Sequence, residues 1–583
     1  MKFQTIVVLI LYLLLCACEQ SSTSTNKTTA QKADAIYHNA KVYTVNDEAP
    51  WAEAVAIKGD EIVFVGSDPD ALALAGDDTE VTGLQGQMLL PGFIDSHAHP
   101  VAGGAYALAL ALDTYARPED WVQAIAAYAD ANKDSPVIFG YGFLASAFKN
   151  TGPTRAMIDA VVDDRPVFIM DEGFHGAWAN SQLLSKLGIN RETPDPVPGF
   201  SYYKRDAEGN PTGYLLEGTA VKAMDDLGVV TEESVTRGTI AVMEQMNRYG
   251  ITAVFDAGAL EVADFQLNIL KTLEESGKLN LRYVGSLMVV DPGQMKASLE
   301  QLQQLRTTSP YISMLKIMDD GTVEGKTAAM FSDYQDDPGN KGQTVFTPEQ
   351  LQWILSEAVS LGLDVHIHAL GERAISDALD AIAVSKEKFP DTDSRFAITH
   401  IQVMADSDIQ RFADLGVIAQ STPLWASYDI EGEAYVSEDQ FNRYFRFNSL
   451  KQAGVKLSFG SDFPASGAGM LGMSPVFNIE IGHTRQMAGE IESPIQPSET
   501  ERLDIATLIR GYTIDAAWQL RLADKIGSIE TGKKADLVVL DNNLFDVDPY
   551  SIHQTEVVMT IFGGKLIYRR KLKRLWPRFH TLR

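Results

Sequence analysis

Short apolar runs alternate with longer amphipathic stretches through the middle of the chain. The runs at residues 364–368 and 396–400 are typical, since both are rich in β-branched or aromatic residues. The neighbouring stretches at residues 348–361 and 373–386 repeat apolar residues at helical spacing. Alternation of strand-like and helix-like segments favours parallel βαβ units. We therefore predict an α/β fold built on a TIM-type (β/α)8 barrel.

Further strand-like runs extend the same pattern in both directions along the chain. They lie at residues 136–142, 166–170, 252–256, 314–318, 416–420 and 456–462. The stretch from about residue 113 to about residue 235 is longer than one βα unit needs. We expect it to hold a subdomain inserted near the mouth of the barrel, and we place the whole barrel at residues 91–525.

The two ends of the body differ from the middle, because both consist of short β-rich runs separated by Gly and Asp turns. These runs lie at residues 35–45, 54–57, 61–66, 535–540 and 556–568. Gly563-Gly564 divides the last run as a hairpin turn would. We predict a small β-sandwich domain built from both termini, with residues 34–90 as its N-terminal part and residues 526–583 as its C-terminal part.

The N-terminus carries a targeting pattern. After Met1-Lys2, the apolar run at residues 6–15 has the length of a signal-peptide core and is too short to span a bilayer as a regular helix. It ends in Leu15-Cys16-Ala17-Cys18, which resembles a bacterial lipobox with Cys18 as the lipidated residue. We expect a signal peptide at residues 1–18 and a flexible tether at residues 19–33. The protein would then lie in the bacterial cell envelope, either as a membrane-anchored lipoprotein or, after ordinary secretion, in the periplasm.

Composition narrows the choice of partners. The formal net charge of −29 argues against nucleic acid, which requires a basic face. Both cysteines lie in the leader, so the body has no disulfide and no thiolate ligand, and histidine and carboxylate groups would hold any metal. No later segment is long and apolar enough to span a membrane. We expect a small-molecule substrate and membrane contact only through the N-terminal anchor, and the sequence leaves a homo-oligomer open.

His97 and His99 end the apolar run at residues 89–99 and are the first residues to suggest a chemistry. Residues i and i+2 of a strand point to one face, so both imidazoles can reach one point. Such a pair forms half of a divalent metal site; alternatively, both histidines lie in a polar loop. Other strand-like runs contain or end in residues of similar chemistry, namely Lys316, His368, His400 and Asp462. The carboxyl ends of parallel barrel strands share one rim, so these side chains can converge.

Several segments together carry a family resemblance. They are residues 90–99, Lys316 with Asp320-Gly321, residues 368–373, His400 and residues 460–464. With these segments the chain resembles the metal-dependent amidohydrolase superfamily, and within it amidohydrolase family 3, the YtcJ-like branch. The run at residues 526–538 is similar to the superfamily's return into its β-sandwich. The resemblance extends over nearly all of the chain from about residue 34.

The resemblance implies a site for one or two divalent metal ions, with zinc as the expected ion. The implied ligands are His97, His99, Lys316, His368, His400 and Asp462. The first two histidines would hold one ion with Asp462, the two later histidines would hold a second, and Lys316 would bridge the ions as a carbamate formed with CO₂. Hydroxide formed at the metal would attack a carbonyl, and Asp462 would pass the proton to the leaving amine. The implied activity is hydrolysis of a non-peptide C–N bond in an amide, an N-acyl compound or a cyclic amide.

His175 and Glu217 are further candidates implied by the resemblance. His175 lies in the segment 171–181, which resembles one of the YtcJ-like branch, and it is implied as a catalytic group that contacts the substrate or its oxyanion. Glu217 matches a family position that we assign to substrate binding, with a structural salt bridge as the equal alternative. His366 shares a strand face with His368, so that one would be a ligand and the other its support, and we favour His368 as the ligand.

Two other functions stay open at this point. A mononuclear metal deaminase of a ring amidine would use the first two histidines, a later histidine and Asp462, with Glu372 as its candidate acid. That function would leave Lys316 unexplained. A non-catalytic envelope lipoprotein would use the barrel as a binding module, and loss of metal ligands would support it. None of the expected ligands is missing from the sequence.

Overall fold

The computed structural model describes residues 32–114, 116–145, 147–148, 152–196, 201–259, 263–430 and 432–571. The predicted signal peptide with Cys18, and nearly all of the predicted tether, lie outside the described residues. Within the described part of the chain, no helix combines the length and the apolar character needed to cross a membrane.

Eight strands form a parallel sheet that curves into a barrel. In chain order they are β8 (Phe93–Ala98), β15 (Ile251–Asp256), β16 (Arg282–Val289), β17 (Ile312–Met318), β18 (Asp364–Ala369), β19 (Phe396–His400), β20 (Ile418–Ser421) and β21 (Leu457–Phe459). Each strand pairs in parallel with the next, and β21 packs beside β8, so that the sheet nearly closes. The predicted TIM-type (β/α)8 barrel is confirmed.

Helices connect these strands, and the longer ones pack their apolar faces on the outside of the barrel. The helices from the first barrel crossover onward are α7 (Glu232–Arg248), α8 (Ala263–Glu275), α9 (Met295–Thr308), α10 (Pro348–Ser360), α11 (Glu372–Lys388), α12 (Asp406–Leu415), α13 (Gly432–Tyr435), α14 (Glu438–Phe441), α15 (Phe447–Gln452), α16 (Pro475–Thr484), α17 (Ile505–Gly511) and α18 (Ile514–Gln519). In α11 the residues Ile375, Ala378, Leu379 and Ile382 are buried, at the spacing of one helical face. Thr347 starts α10 with a capping box.

A second sheet is inserted between β8 and β15. Its strands are β9 (Leu110–Ala111), β10 (Ile138–Phe143), β11 (Val167–Asp171), β12 (Gly176–Ala179), β13 (Tyr203–Arg205) and β14 (Pro211–Leu216), in the order β13-β14-β12-β11-β10-β9. The helices of this region are α2 (Pro100–Gly104), α3 (Pro118–Ala131), α4 (Arg155–Asp159), α5 (Ser181–Lys186) and α6 (Gly218–Leu227). The strand-like runs at residues 136–142 and 166–170 belong to this sheet. The barrel instead contains β16, which lies in none of the predicted strand-like runs.

Two further sheets bring both ends of the chain together. The first has the order β5-β4-β1-β6, and the second has the order β24-β23-β22-β7-β2-β3. Their strands are β1 (Ala35–His38), β2 (Lys41–Tyr43), β3 (Trp51–Ala52), β4 (Ala54–Lys58), β5 (Glu61–Gly66), β6 (Glu80–Gly83), β7 (Met88–Pro91), β22 (Leu537–Leu540), β23 (Val557–Phe562) and β24 (Lys565–Arg569), with α1 (Asp68–Leu72) between β5 and β6. Gly563 and Gly564 form the predicted hairpin turn with φ of 53° and 74°. The predicted β-sandwich from both termini is therefore confirmed.

Candidate metal centre

The side chains expected to carry the chemistry lie at the carboxyl ends of the barrel strands. His97 is in β8, His99 follows it directly, Lys316 is in β17, His368 is in β18, His400 ends β19, and Asp462 follows β21. All of them line one cavity of about 1840 Å³. The convergence expected from parallel strands is thus observed, although the residues are far apart in sequence.

The junction between β21 and β8 brings Asp462 to His97. The Asp462 backbone N–H donates to the His97 carbonyl oxygen at 2.8 Å, and the Ser461 N–H donates to the Asp95 carboxylate at 3.0 Å. Gly460 permits this approach, since a Cβ atom there would lie 2.4 Å from the His97 backbone nitrogen. Asp95 also accepts the Ser461 hydroxyl at 2.6 Å, so it ties the two strand ends together. Asp95 lies within the motif at residues 90–99, but its sequence position alone does not reveal this role.

Asp462 is the point at which the imidazoles meet. Its Oδ1 lies 3.2 Å from Nε2 of His97 and 3.3 Å from Nε2 of His99, and its Oδ2 lies 3.9 Å from Nδ1 of His400. One donor atom each from His97, His400 and Asp462 lie within 4.8 Å of one another. This grouping joins residues from both predicted halves of a two-ion site, so the geometry does not separate the two halves.

The chemistry of this group fits a divalent cation. Nδ1 of His400 is buried and has no hydrogen-bond partner, which is costly for a polar atom inside a protein. Burial lowers the pKa of His97 and His400 well below the usual value, so both imidazoles are neutral and keep a lone pair for a ligand bond. Neutral imidazole nitrogen and carboxylate oxygen are preferred ligands of zinc and related ions.

His99 and Lys316 line the cavity next to the group of His97, His400 and Asp462. Burial acts against the charged form of His99, but the neighbouring Asp462 carboxylate outweighs it and raises the His99 pKa. Nζ of Lys316 lies 3.3 Å from Nε2 of His97. Burial lowers the pKa of Lys316 to about 7. Near neutral pH, Lys316 is therefore a neutral amine in a large fraction of the molecules.

His368 faces the cavity and His366 does not. Nε2 of His368 lies 3.6 Å from Oδ1 of Asp320, and its ring centroid is 4.5 Å from that of His400. Burial lowers the pKa of His368 to about 3, which keeps its ring neutral. Nε2 of His366 instead lies 2.8 Å from Nδ1 of His97, behind the cavity wall. His368 therefore stays the ligand candidate, whereas His366 supports His97 and not, as predicted, His368.

His175 and Glu217 form a charged pair on the wall contributed by the inserted region. Nδ1 of His175 lies 3.0 Å from Oε2 of Glu217, and the Glu217 backbone N–H donates to the His175 carbonyl oxygen at 2.7 Å. Asp171 accepts the His175 backbone N–H at 2.9 Å. Burial opposes the charge on His175, but the charge and hydrogen bond of Glu217 outweigh it and raise the His175 pKa to about 9. Glu217 makes the salt bridge of one alternative and also lines the cavity, and its assignment to substrate binding stays a prediction.

Comparison with known proteins places this geometry in a family. The family model described as "Amidohydrolase family" matches residues 80–568. The putative amidohydrolase YtcJ of Bacillus subtilis (strain 168) is 27% identical over 542 residues, which cover 92% of this chain and 99% of that protein. The N-substituted formamide deformylase of Arthrobacter pascens is 28% identical over 564 residues, covering 93% and 99%.

A solved structure agrees with these sequence relationships. The crystal structure of a metal-dependent hydrolase from Pyrococcus horikoshii OT3 superposes with a TM-score of 0.68 at 25% identity, covering 88% of this chain and 99% of that one. The family model spans most of the sequence, and the relatives align over nearly their whole length. This chain therefore belongs to the amidohydrolase family, as its resemblance to amidohydrolase family 3 predicts.

Proposed function

We propose that this protein is a metal-dependent hydrolase that cleaves a C–N bond in an amide, an N-acyl compound or a cyclic amide. The observation that carries the proposal is the buried group of His97, His400 and Asp462, whose donor atoms lie within 4.8 Å of one another on the wall of a large cavity. The relative from Arthrobacter pascens, an N-substituted formamide deformylase, supports the type of bond.

The cavity residues would bind the metal ion, and one of them, Asp462, would also transfer a proton. His97, His400 and Asp462 would hold the ion, with His99 next to Asp462 and His368 next to His400. A bound divalent ion would lower the pKa of a water molecule towards neutrality and polarise the carbonyl of the substrate. Asp462 is the base we assign to take the proton of the attacking water and deliver it to the leaving amine.

His175 would bind the reacting carbonyl of the substrate. Its Nδ1 is engaged by Glu217 at 3.0 Å, so Nε2–H is the donor left for a substrate oxygen. With a pKa raised to about 9, chiefly by Glu217 against the effect of burial, the ring is cationic at neutral pH. A cationic donor stabilises negative charge as it develops on the carbonyl oxygen.

Lys316 would supply a carbamate ligand. Its neutral amine nitrogen would bond to the carbon of CO₂ and release one proton, which converts a poor ligand into a carboxylate-like one. The pKa of about 7 that burial gives Lys316 makes the required neutral form abundant. Incubation with ¹³C-bicarbonate should produce a carbamate resonance in ¹³C NMR spectra that is absent from a Lys316→Met variant. Absence of this resonance from the native protein would remove the carbamate from the proposal.

The cavity favours a bulky substrate with an apolar group. Its volume of about 1840 Å³ exceeds the range of roughly 300–1,000 Å³ that is usual for small-molecule sites. Aromatic side chains from both the inserted region and the barrel loops line it, namely Tyr106, Phe174, Trp425 and Tyr428. We therefore expect N-acyl or aryl amides with a large apolar substituent to be better substrates than small amides.

The deaminase alternative loses support because its candidate acid is engaged elsewhere. The Glu372 carboxylate pairs with the Arg443 guanidinium at 2.8 Å and accepts from the Gln440 side chain at 3.0 Å. Glu372 does not line the cavity that contains the histidines. The non-catalytic alternative loses support as well, because every expected ligand is present and faces the same cavity.

The direct test combines metal analysis with a substrate screen. Zinc-loaded protein is assayed against N-acyl amino acids, aryl amides and cyclic amides, and the bound ion is counted by elemental analysis. We expect amide hydrolysis that a chelator abolishes, and loss of both bound metal and turnover in His97→Ala. His38→Ala, which changes a histidine of β1 in the sandwich, is the matched control and should behave as the native protein. Full turnover by metal-free protein would contradict the proposal.

A further inference from the structure

A buried chain of hydrogen bonds runs behind His97, on the side away from the cavity. Its members are His97 in β8, Thr399 in β19 and Gln420 in β20, with exposed fractions of 1%, 0% and 0%. Thr399 and Gln420 lie opposite each other on the paired neighbours β19 and β20, whereas β8 lies at the far edge of the sheet, and the three side chains meet in the barrel interior. The proposed function gives no role to Thr399 or Gln420.

The orientation of the Gln420 amide decides which group donates in each of these hydrogen bonds. Its Nε2 donates to the Ser421 carbonyl oxygen at 3.2 Å and to the Ser96 hydroxyl at 3.4 Å. Its Oε1 therefore faces Thr399 and accepts the Thr399 hydroxyl proton. A hydroxyl group has a single proton to donate, so Thr399 Oγ1 can act only as an acceptor towards its other neighbour.

That other neighbour is Nδ1 of His97, which lies 3.0 Å from Thr399 Oγ1. Since Thr399 accepts, the proton of the neutral His97 ring lies on Nδ1. Nε2 then keeps its lone pair, and Nε2 is the atom that faces Asp462 Oδ1 at 3.2 Å. If the proton lay on Nε2 instead, the lone pairs of His97 Nδ1 and Thr399 Oγ1 would face each other across 3.0 Å in a buried site. With the proton on Nδ1, the Nε2 lone pair faces the Asp462 carboxylate and needs a donor or a cation: Nζ of Lys316, 3.3 Å from Nε2, can donate to it in the apoprotein, and the proposed ion would take that place in the metal-bound protein.

His366 fits the same direction of donation. Its Nε2 lies 2.8 Å from Nδ1 of His97 and can accept the same proton. The reverse arrangement, with His366 donating to His97, would place the His97 proton on Nε2 and direct a hydrogen rather than a lone pair at the proposed ion. The Thr399–Gln420 pair opposes that arrangement, because it leaves Thr399 without a proton to give to His97.

We propose that Thr399 and Gln420 are positioning residues that hold His97 in its Nδ1–H tautomer, so that Nε2 is available as the ligand atom. This inference rests on the proposed metal-dependent function. Hydrogen bonds to the second nitrogen of a ligating histidine fix its orientation and tautomer, and their removal costs about 10–100-fold in metal affinity. Neither residue touches the cavity, so the effect on the reaction would be exerted through His97.

Three variants of the full-length protein test the inference through zinc affinity. Thr399→Val has nearly the same shape without the hydroxyl, Thr399→Ser keeps the hydroxyl, and Thr252→Val is the matched control. Thr252 is a fully buried threonine of β15 whose hydroxyl has no hydrogen-bond partner. Apoprotein is titrated with zinc in competition with a chromophoric chelator. We expect Thr399→Val to weaken binding about 10–100-fold, Thr399→Ser to restore most of it, and Thr252→Val to leave it unchanged.

A second measurement does not require metal. In apoprotein with ¹⁵N-labelled histidine, the imidazole nitrogens report which atom of His97 carries the proton, and Thr399→Val should shift His97 towards the Nε2–H form. The inference is overturned if the native ring is already Nε2–H, or if Thr399→Val binds zinc as tightly as the native protein. Failure of the native protein to bind any divalent ion would instead refute the proposed function, and the tautomer measurement would still decide this point.

Discussion

Asp462 combines more of the proposed roles than any other residue of the site. It lies at φ 51°, directly after the short strand β21, and its carboxylate stands within 3.3 Å of two imidazole nitrogens. Burial by itself would raise the Asp462 pKa, but the hydrogen bond from His99 and the charges of His400 and His99 outweigh it and lower the pKa. The carboxylate is therefore ionised over the working pH range, as a ligand and a base must be.

Replacing Asp462 with asparagine should remove catalysis without removing the shape of the side chain. We expect kcat/KM for an amide substrate to fall by at least about 100-fold, since a general base contributes roughly 10²–10⁴-fold. Steady-state kinetics and elemental analysis of the same preparation measure the effect. Asp163→Asn, which changes an exposed acid away from the cavity, serves as the control. Activity of Asp462→Asn near the native level would remove Asp462 from the mechanism.

The ion pair of His175 and Glu217 should determine how kcat/KM depends on pH. His175 is cationic below its pKa of about 9, which the Glu217 charge raises against the effect of burial. If the cation is required, kcat/KM should fall as pH rises through about 9. In Glu217→Gln the negative partner is lost, so the His175 pKa should drop and the alkaline limb should move to lower pH. Glu208→Gln on an exposed turn is the control, and an unmoved limb in Glu217→Gln would exclude this role.

At the scale of elements, the local pattern identifies strands but not the sheet to which each belongs. Runs at residues 136–142 and 166–170 have the same character as barrel strands, yet they form β10 and β11 of the inserted sheet. The sequence pattern does not predict β16 (Arg282–Val289), in which buried and partly buried positions alternate only over the first four residues. Sheet membership depends on pairing with strands distant in sequence, which periodicity within one segment does not encode.

Gly460 lies where β21 approaches β8, and replacing it tests the junction between these two strands. A Cβ atom there would stand 2.4 Å from the His97 backbone nitrogen and 2.7 Å from Oδ1 of Asp95. We expect Gly460→Ala to lower the free energy of unfolding by about 1–3 kcal/mol, the usual cost of overpacking, and to reduce zinc affinity by displacing His97. Thermal or denaturant unfolding measures the first effect and chelator competition the second.

Gly76→Ala is the matched control for this junction. The three atoms nearest to a Cβ atom at Gly76 all belong to the flexible Lys32 side chain, the first of them at 3.3 Å. We expect its stability and its metal affinity to equal those of the native protein. A Gly460→Ala variant that is as stable as Gly76→Ala would show that the junction can relax without displacing the site.

At the scale of the whole molecule, the ion pair of Arg282 and Asp536 joins the barrel to the sandwich. Nε and one terminal nitrogen of Arg282 in β16 donate to the Asp536 carboxylate at 2.6 and 3.0 Å, and Asp536 also accepts the Gly563 N–H at 2.8 Å. The Asp536 side chain is 1% exposed. Because both ends of the chain form the sandwich, this contact couples the hairpin β23–β24 to the barrel wall.

Asp536→Asn should destabilise the protein without affecting the metal centre. We expect the free energy of unfolding to fall by about 3–5 kcal/mol, the usual cost of removing one partner from a buried pair, with unchanged zinc stoichiometry in the folded protein. Asp546→Asn is the control, because its pair with Lys41 is exposed and such pairs contribute about 0–1 kcal/mol. Equal stability of the two variants would show that the Arg282 contact contributes little.

The predicted lipid anchor is a separate property of the whole molecule. If Cys18 is lipidated, cells fed a clickable fatty acid should yield labelled protein in the membrane fraction. Cys18→Ala should abolish the label and leave the hydrolase activity of the folded body unchanged. Cys16→Ala is the control, since it changes the neighbouring cysteine of the leader. Label that persists in Cys18→Ala would assign the anchor elsewhere.

The sequence by itself determined the class of fold, the sandwich from both termini, the family and the set of candidate ligands. Hydrophobic periodicity, turn residues and short motifs are local, so one chain is enough to recognise them. Only the tertiary structure decided which strands close the barrel, that Asp462 is the meeting point of the imidazoles, and that Thr399 and Gln420 lie behind His97. Thr399 and His97 are 302 positions apart, and nothing in the local sequence of either residue records the contact, because parallel pairing and barrel closure create it.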